Sequence, residues 1–237
     1  MSTMNAAIII PVYNHEQRIA GVIRQTLALG LPVFVVDDGS TDRTAEIIKA
    51  IEGITVLHHC VNQGKGAAIL TGFAAAVKKK CDLAITIDGD GQHTPEDAGV
   101  LLSAAADGKR CLVVGRRRGM EGGGNVPWTS RFGRKFSNFW VRVSGGPAIE
   151  DSQSGFRLYP LPEAMQLGVR ARRYQFEVEI LVKARQHGIE IIEVPVQVVY
   201  QVKGERVSHF RPWVDFCRNS TTFSRLIFAR IFRMFRP

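Results

Sequence analysis

Apolar residues arrive along the first half of the chain in short β-branched runs, separated by segments with helical spacing. Ala6–Pro11 (AAIIIP), Pro32–Asp37 (PVFVVD), Ile54–His58 and Leu83–Asp88 (LAITID) are runs of strand length, which predicts strands buried on both faces. Between them Glu16–Leu29, Thr41–Ile51 and Ala67–Lys79 repeat apolar positions at helical intervals. Thr94-Pro95-Glu96-Asp97 predicts a helix start, with Thr as N-cap, Pro at the first helical position and acids in the first turn. Strands alternating with helices require β-α-β units, so the expected fold is α/β with a mostly parallel sheet and flanking helices. Ligands of such sheets bind beyond the carboxyl ends of the strands. The polar motifs of this chain fall at those ends.

The second half is less regular. Leu112–Gly115 (LVVG) predicts another strand, and Arg116–Asn125 (RRRGMEGGGN) has no apolar period and reads as a mobile basic loop. Arg131–Val143 predicts a basic helix; Gln153–Tyr159, Glu177–His187 and Glu190–Tyr200 predict a strand, a helix and a closing strand. After Pro212, residues Phe223, Ile227, Ile231 and Met234/Phe235 share one helical face. Arg218, Arg225, Arg230, Arg233 and Arg236 surround it, with no acid after Asp215. Two parts are therefore expected: a domain over 1–210 and a basic amphipathic helix over 211–237, lying on a membrane surface or packing on the domain.

Composition narrows the partners. The 237 residues suit one domain with a short appendage, and 45% hydrophobic with 22% charged residues excludes a disordered chain. A formal charge of +9 calls for an anionic partner: nucleic acid, phospholipid or a phosphorylated substrate. Cys60, Cys81, Cys111 and Cys217 form no C-x-x-C pair, so neither a disulfide framework nor a zinc ribbon is expected, and a cytosolic setting is. No secretory signal and no spanning helix is read; contact with a membrane surface stays open.

The chemistry concentrates at four strand ends. In Asp88-Gly89-Asp90-Gly91-Gln92-His93 two carboxylates emerge where an apolar strand turns, and hard oxygen ligands of this kind suit Mg²⁺ or Mn²⁺ bridging to phosphate. Taken alone, D-x-D is equally a solvated turn. Asp37 or Asp38 in VVDDGSTD can accept from a nucleotide base or ribose, with Thr41/Asp42 capping the next helix. Pro11-Val12-Tyr13-Asn14 ends the first strand without the glycines of a dinucleotide site, and Asn62-Gln63-Gly64-Lys65-Gly66 is not a P-loop, although Lys65 near a helix start suits an anion. Glu177 and Glu179 are a candidate base, a partner for Arg157 or surface charge, with a structural pairing favoured. His93 is read as capping or supporting rather than ligating, His58-His59 as a strand end, and Trp128, Trp140 and Trp213 as packing.

IPVYNHE, VVDDGSTDRT, NQGKGAA, IDGDGQH, DSQSGFRLY and FEVEIL occur in the order seen in family 2 glycosyltransferases of the GT-A fold. Over about Ala6 to Tyr200 the chain most resembles their dolichyl-phosphate mannose synthase and polyprenyl-phosphate glycosyltransferase branch. The resemblance implies a nucleotide-sugar donor, such as GDP-mannose or UDP-glucose, a divalent metal, and inverting transfer of a hexose to a polyprenyl phosphate. Matched by position, Pro11, Tyr13, Asn14, Glu16, Asp37, Asp38, Lys65, Asp88 and Gly89 would hold the nucleotide sugar; Asp88, Asp90 and Gln92 the metal; Arg117, Arg131 and Ser137 the acceptor phosphate. Asp90, Arg117 and Arg131 would then carry catalysis, with the Arg116–Asn125 loop closing over the donor. The branch's Gly-x-Ser-Lys pattern is replaced here by Gly204-Glu205-Arg206-Val207-Ser208-His209, which leaves Arg206 or His209 in the place of the lysine. Such an enzyme would sit peripherally on the cytoplasmic membrane face, alone or with a membrane-anchored partner, and no nucleic-acid partner is expected. Competing readings are the same donor chemistry on a glycolipid or glycan hydroxyl, with Glu177 or Glu179 as base; a sugar nucleotidyltransferase; and a non-catalytic binder.

Overall fold

The computed structural model describes residues 4–106, 108–118, 128–198 and 212–234, with side chains omitted for 128–132, 212–217 and 233–234. A seven-stranded sheet runs in the order β3-β2-β1-β4-β6-β5-β7. Its strands are β1 (Ala6–Val12), β2 (Val33–Asp37), β3 (Ile54–His58), β4 (Leu83–Thr86), β5 (Leu112–Arg117), β6 (Arg157–Pro160) and β7 (Ile191–Val196). Every pairing is parallel except those of β6, which runs antiparallel to both β4 and β5.

The strict alternation of β1 explains the layering. Ile8, Ile10 and Val12 pack with α1 (Ile19–Leu27), α2 (Thr44–Lys49) and α4 (Ala98–Ala104) on one face of the sheet. Ala7 and Ile9 face α3 (Lys65–Lys78), α6 (Glu163–Gln166) and α7 (Phe176–Gln186) on the other. Both faces are covered, so β1 is buried from end to end, as a central strand of a parallel sheet must be. The remaining helices, α5 (Trp128–Val143) and α8 (Pro212–Met234), meet α7 in a smaller cluster of Val141, Val178, Val182, Phe223 and Leu226.

Several expectations need correcting. Ile54–His58 is an edge strand with Thr55 and Val56 exposed, because β3 is outermost in the strand order. The first helix starts at Ile19 rather than Glu16, and Thr94 contributes its carbonyl, not its hydroxyl, to the short 3-10 turn Pro95–Asp97. The strand sought at Gln153–Tyr159 begins at Arg157, since 151–156 form a tight loop. Of the loop read over Arg116–Asn125, Arg116 and Arg117 extend β5 instead, and its residues 119–125 and the Gly204–His209 pattern lie outside the described residues, as do the side chains of Arg131, Trp128 and Trp213.

Candidate active site

Register brings the polar strand ends together. Val12 of β1 pairs with Asp37 of β2, which pairs with His58 of β3. Asp88 and Asp90 follow β4 at the same edge, after Ile87 donates to the Ile9 carbonyl. Arg117 closes β5 there too.

At the β1–β2 end the acids are deeply buried. Asp37, 1% exposed, accepts from the Ser40 amide at 3.0 Å and lies 2.8 Å from His58 Nδ1. Asp38 accepts from the Gln63 and Gly64 amides at 2.9 and 2.7 Å and lies 2.7 Å from His59 Nδ1, whose other nitrogen meets the Thr71 hydroxyl. His58-His59 is therefore more than a strand end: each ring braces one aspartate. Two acids closing one strand opposite two histidines closing the next parallel strand is a sequence signal that would have found these pairs. Gly39 makes the turn possible, with φ at +73° and Val61 backbone 2.7 Å from where a Cβ would stand. Asn14, also at positive φ (53°), accepts from the Thr41 amide at 2.8 Å, and the Glu16 carboxylate accepts from the Arg43 amide at 3.0 Å. Asp42 does cap, accepting from the Thr44 amide at 2.9 Å. Pro11 lies buried within β1 opposite Val36, and Tyr13 and Gly89 sit at the same strand ends.

The centre of the site is an acid–lysine–acid chain. Lys65, at the start of α3, reaches Asp88 at 2.7 Å and Glu177, at the start of α7, at 2.5 Å. Burial opposes the ammonium, but the two carboxylates hold it protonated well above the ordinary lysine range. Lys65 is thus engaged by side chains, not standing open at a helix N-terminus, and Glu177 pairs with Lys65 while only its main-chain carbonyl accepts from Arg157, at 2.7 Å. Glu179 is wholly buried and accepts from the Arg170 and Ala171 amides and from Arg225, so neither glutamate is surface charge. Gly155 of the SGFR loop closes over this chain: a Cβ there would stand 2.5 Å from both the Lys65 ammonium and Asp88 Oδ2. Thr86 fixes that loop by donating to the Gly155 carbonyl at 2.7 Å.

Asp88 and Asp90 differ in state. Burial disfavours ionisation of Asp88, yet the Lys65 ammonium holds its carboxyl below the usual range. Burial and the Asp88 charge together push Asp90 up. Asp88 Oδ1 is buried and, although close to the ammonium, makes no aligned hydrogen bond. Asp90 accepts from the Gln92 amide at 3.0 Å. Two neighbouring acids, the charge of Asp88 raising the cost of ionising Asp90, form a donor set suited to a divalent cation completed by phosphate oxygens. Among the described residues no group of three His, Cys, Asp or Glu could do this without such help. His93 is buried against Phe156, with ring centroids 5.2 Å apart, and burial lowers its pKa, so it stands neutral beside the acids.

Beside the acids, two arginines gather around Asp151. Arg117 grips Asp151 with two bonds of 2.7 and 2.8 Å, and its charge also reaches Asp88. Ser137, 2% exposed, accepts from the Ser152 hydroxyl at 2.9 Å, while Asn138 accepts from the Ser152 amide, tying α5 to the 151–154 loop. Arg134, one helical turn before Asn138, is 6% exposed with its Nε unsatisfied, and its charge acts on Asp151. The basic run on α5 pointed to this region; burial is what singles out Arg134. Burial raises the Asp151 pKa, but the Arg117 bonds and charge outweigh it and hold the carboxyl below the usual aspartate range. A folded-state pKa below the unfolded one stabilises at pH above about 4, and that contribution disappears as pH falls through the folded value. The melting temperature of the wild type should therefore drop more steeply below about pH 4 than that of Asp151→Asn, which calorimetry across pH 3–7 would show.

Comparison with known proteins identifies the family and the fold. The model of "Glycosyl transferase family 2" matches residues 7–161. UDP-N-acetylglucosamine–dolichyl-phosphate N-acetylglucosaminyltransferase of Methanococcus voltae is 32% identical over 213 residues, covering 81% of this chain and 85% of that protein. Undecaprenyl-phosphate mannosyltransferase of Micrococcus luteus is 31% identical over 214 residues, covering 85% and 86%. The structure of glucosyl-3-phosphoglycerate synthase from Mycobacterium tuberculosis, solved with Mg²⁺ and UDP, superposes with a TM-score of 0.70 at 22% identity, over 96% of this chain and 79% of that one, which establishes the GT-A type of fold. The chain belongs to glycosyl transferase family 2 and is a glycosyltransferase.

Proposed function

We propose that the protein transfers one sugar residue, with inversion, from a nucleoside diphosphate sugar to a polyprenyl phosphate in a metal-dependent reaction. The observation that supports this reading is the meeting, at the carboxyl ends of the strands, of the Asp88–Asp90 pair with Arg117, whose charge reaches Asp88 and whose partner Asp151 also feels Arg134. The names of the Methanococcus and Micrococcus relatives support a polyprenyl-type phosphate as acceptor. Asp88 and Asp90, with Gln92 beside them, would hold the cation, which when bound supplies Lewis-acid neutralisation of the diphosphate. The buried Asp37 and Asp38 anchor the turn on which the nucleotide would rest.

A phosphate acceptor is already ionised near neutral pH. Its oxygen forms the bond to the anomeric carbon while the bond from that carbon to the diphosphate breaks, and no proton need be removed. Glu177 therefore has no base to be: it neutralises Lys65 and fixes Asp88 through it. What the acceptor needs is positioning cations, and planar guanidinium forks suit a phosphate. Arg134→Gln should raise the acceptor KM about tenfold, the scale of one charge-assisted bond, with little change in donor KM. Among the described residues no helix is long and apolar enough to cross a membrane. We place the protein at the lipid surface through α8, whose Phe228, Ile231 and Phe232 are exposed while Phe223 and Leu226 pack inward.

The test is to incubate purified protein with Mn²⁺ or Mg²⁺, polyprenyl phosphate and, in turn, GDP-mannose, UDP-glucose and UDP-N-acetylglucosamine, and to weigh the lipid products. A singly glycosylated polyprenyl phosphate with one of these donors is expected. Transfer only to hydroxyl acceptors, abolished by Glu177→Gln, would favour the competing reading.

A further inference from the structure

The end of β5 carries two arginines in succession, and the loop facing it carries two acids in succession. Arg116 meets Glu150, and Arg117 meets Asp151 with bonds of 2.7 and 2.8 Å. The first pair is open to solvent and worth little, whereas Asp151 is wholly buried. The amides of both acids are held by Glu193 of β7. We propose that Glu193 is a positioning residue for the acceptor: by fixing the main chain at 150–151 it aims Asp151, and through it the Arg117 guanidinium. The proposal rests on the reading of Arg117 as an acceptor-phosphate ligand.

Alternation makes position 193 an unexpected place for a charge. Ile192, Val194 and Val196 pack on the α4 side of the sheet, so Glu193 shares the other face with Ile191, where Ile149 also packs. Burial pushes its carboxyl up, the amide bonds work against that, and the charges of Glu150 and Asp151 add to it. An acid kept there needs strong partners, and it has them. The Glu150 amide donates to both carboxylate oxygens, at 3.0 and 2.8 Å, and the Asp151 amide donates to Oε1 at 2.9 Å. Successive amides turned on one anion form a nest, which fixes the peptide between them. Asp151 is thereby pinned at both ends, its amide by Glu193 and its carboxylate by Arg117, whose own amide also donates to it at 3.3 Å. β7 pairs in parallel with β5, Glu193 beside Val114 and Val196 beside Arg117, so anchor and target belong to one ladder. The direction of a guanidinium fork decides how well it meets a phosphate, and an error of about 1 Å can cost on the order of 100-fold.

Acceptor and donor KM would be measured for full-length wild type, Glu193→Gln, Arg117→Gln and the double variant, with farnesyl phosphate as acceptor and the donor that wild type uses. Glu193→Met, of similar length and suited to the apolar face, is run beside Glu193→Gln so that the outcome does not hang on one variant folding. Either substitution should raise acceptor KM about tenfold with donor KM unchanged. On top of Arg117→Gln it should add nothing, because the side chain it aims is gone. A role confined to the fold would raise both KM values together, or would multiply with Arg117→Gln. Either of those results, or an unchanged acceptor KM, would overturn the proposal. Farnesyl phosphate affinity by calorimetry, with Mn²⁺ and GDP or UDP present, reads the same cycle without turnover. If wild type binds this probe but transfers no sugar, the transfer reading fails while the cycle still tests Glu193. Wild type that does not bind it would overturn both.

Discussion

Asp90→Ala is expected to lower sugar transfer on the order of 10³-fold, the scale of several kcal/mol of charge stabilisation lost at the leaving group. The fold should be untouched, and the melting temperature unchanged or slightly raised. The reason is the electrostatic state of the pair: burial and the Asp88 charge already push Asp90 up, so its removal relieves a repulsion. A side chain whose loss destroys activity and does not weaken the fold is one retained for chemistry. Initial rates with the active donor, beside a thermal melt, would check both halves.

Lys65→Ala should do the reverse and act on stability first. It leaves Asp88 and Glu177 without the ammonium that lies 2.7 and 2.5 Å from them, in a pocket where Glu177 is nearly inaccessible. Stranding buried charges in this way costs about 3–5 kcal/mol, a fall in melting temperature on the order of 10 °C for a chain of this size. Lys65→Ala/Glu177→Gln should recover part of that loss, because the second change removes one of the stranded charges. The difference between the double variant and the sum of the single ones measures the coupling. Strict additivity in a denaturant titration of all four proteins would show that the pair is not energetically linked.

What the sequence made legible was local. IDGDGQH and VVDDGSTD announce strand ends because a β-branched run is followed within a few residues by turn-forming glycines and acids, and β4 and β2 do end there. The unbroken apolar run AAIIIP likewise read as a strand buried on both faces, and β1 is buried along its whole length. What stayed hidden depends on contacts distant along the chain. Apolar content cannot tell an edge strand from a central one, so Ile54–His58 read as buried until the strand order placed it outermost. Nothing local marks β6 as antiparallel, since its neighbours β4 and β5 are chosen by topology. Lys65 lies 112 positions from Glu177, so a lysine beside glycines looked like an anion ligand rather than the bridge between two carboxylates. The loop at Arg170 and Ala171 drew no attention as sequence, because its amides serve the buried Glu179, which Arg225 of α8 meets from 46 positions away.

The account rests on Asp88 and Asp90 gripping one divalent cation together with the diphosphate of the donor. Electron paramagnetic resonance of Mn²⁺ titrated with the purified protein, with and without a nucleoside diphosphate, tests this without any acceptor or turnover. The expected result is loss of the free-ion signal at one equivalent of wild-type protein, tightened by the nucleotide and absent in Asp90→Ala. Equal Mn²⁺ binding by wild type and Asp90→Ala, or none by either with nucleotide present, would contradict it.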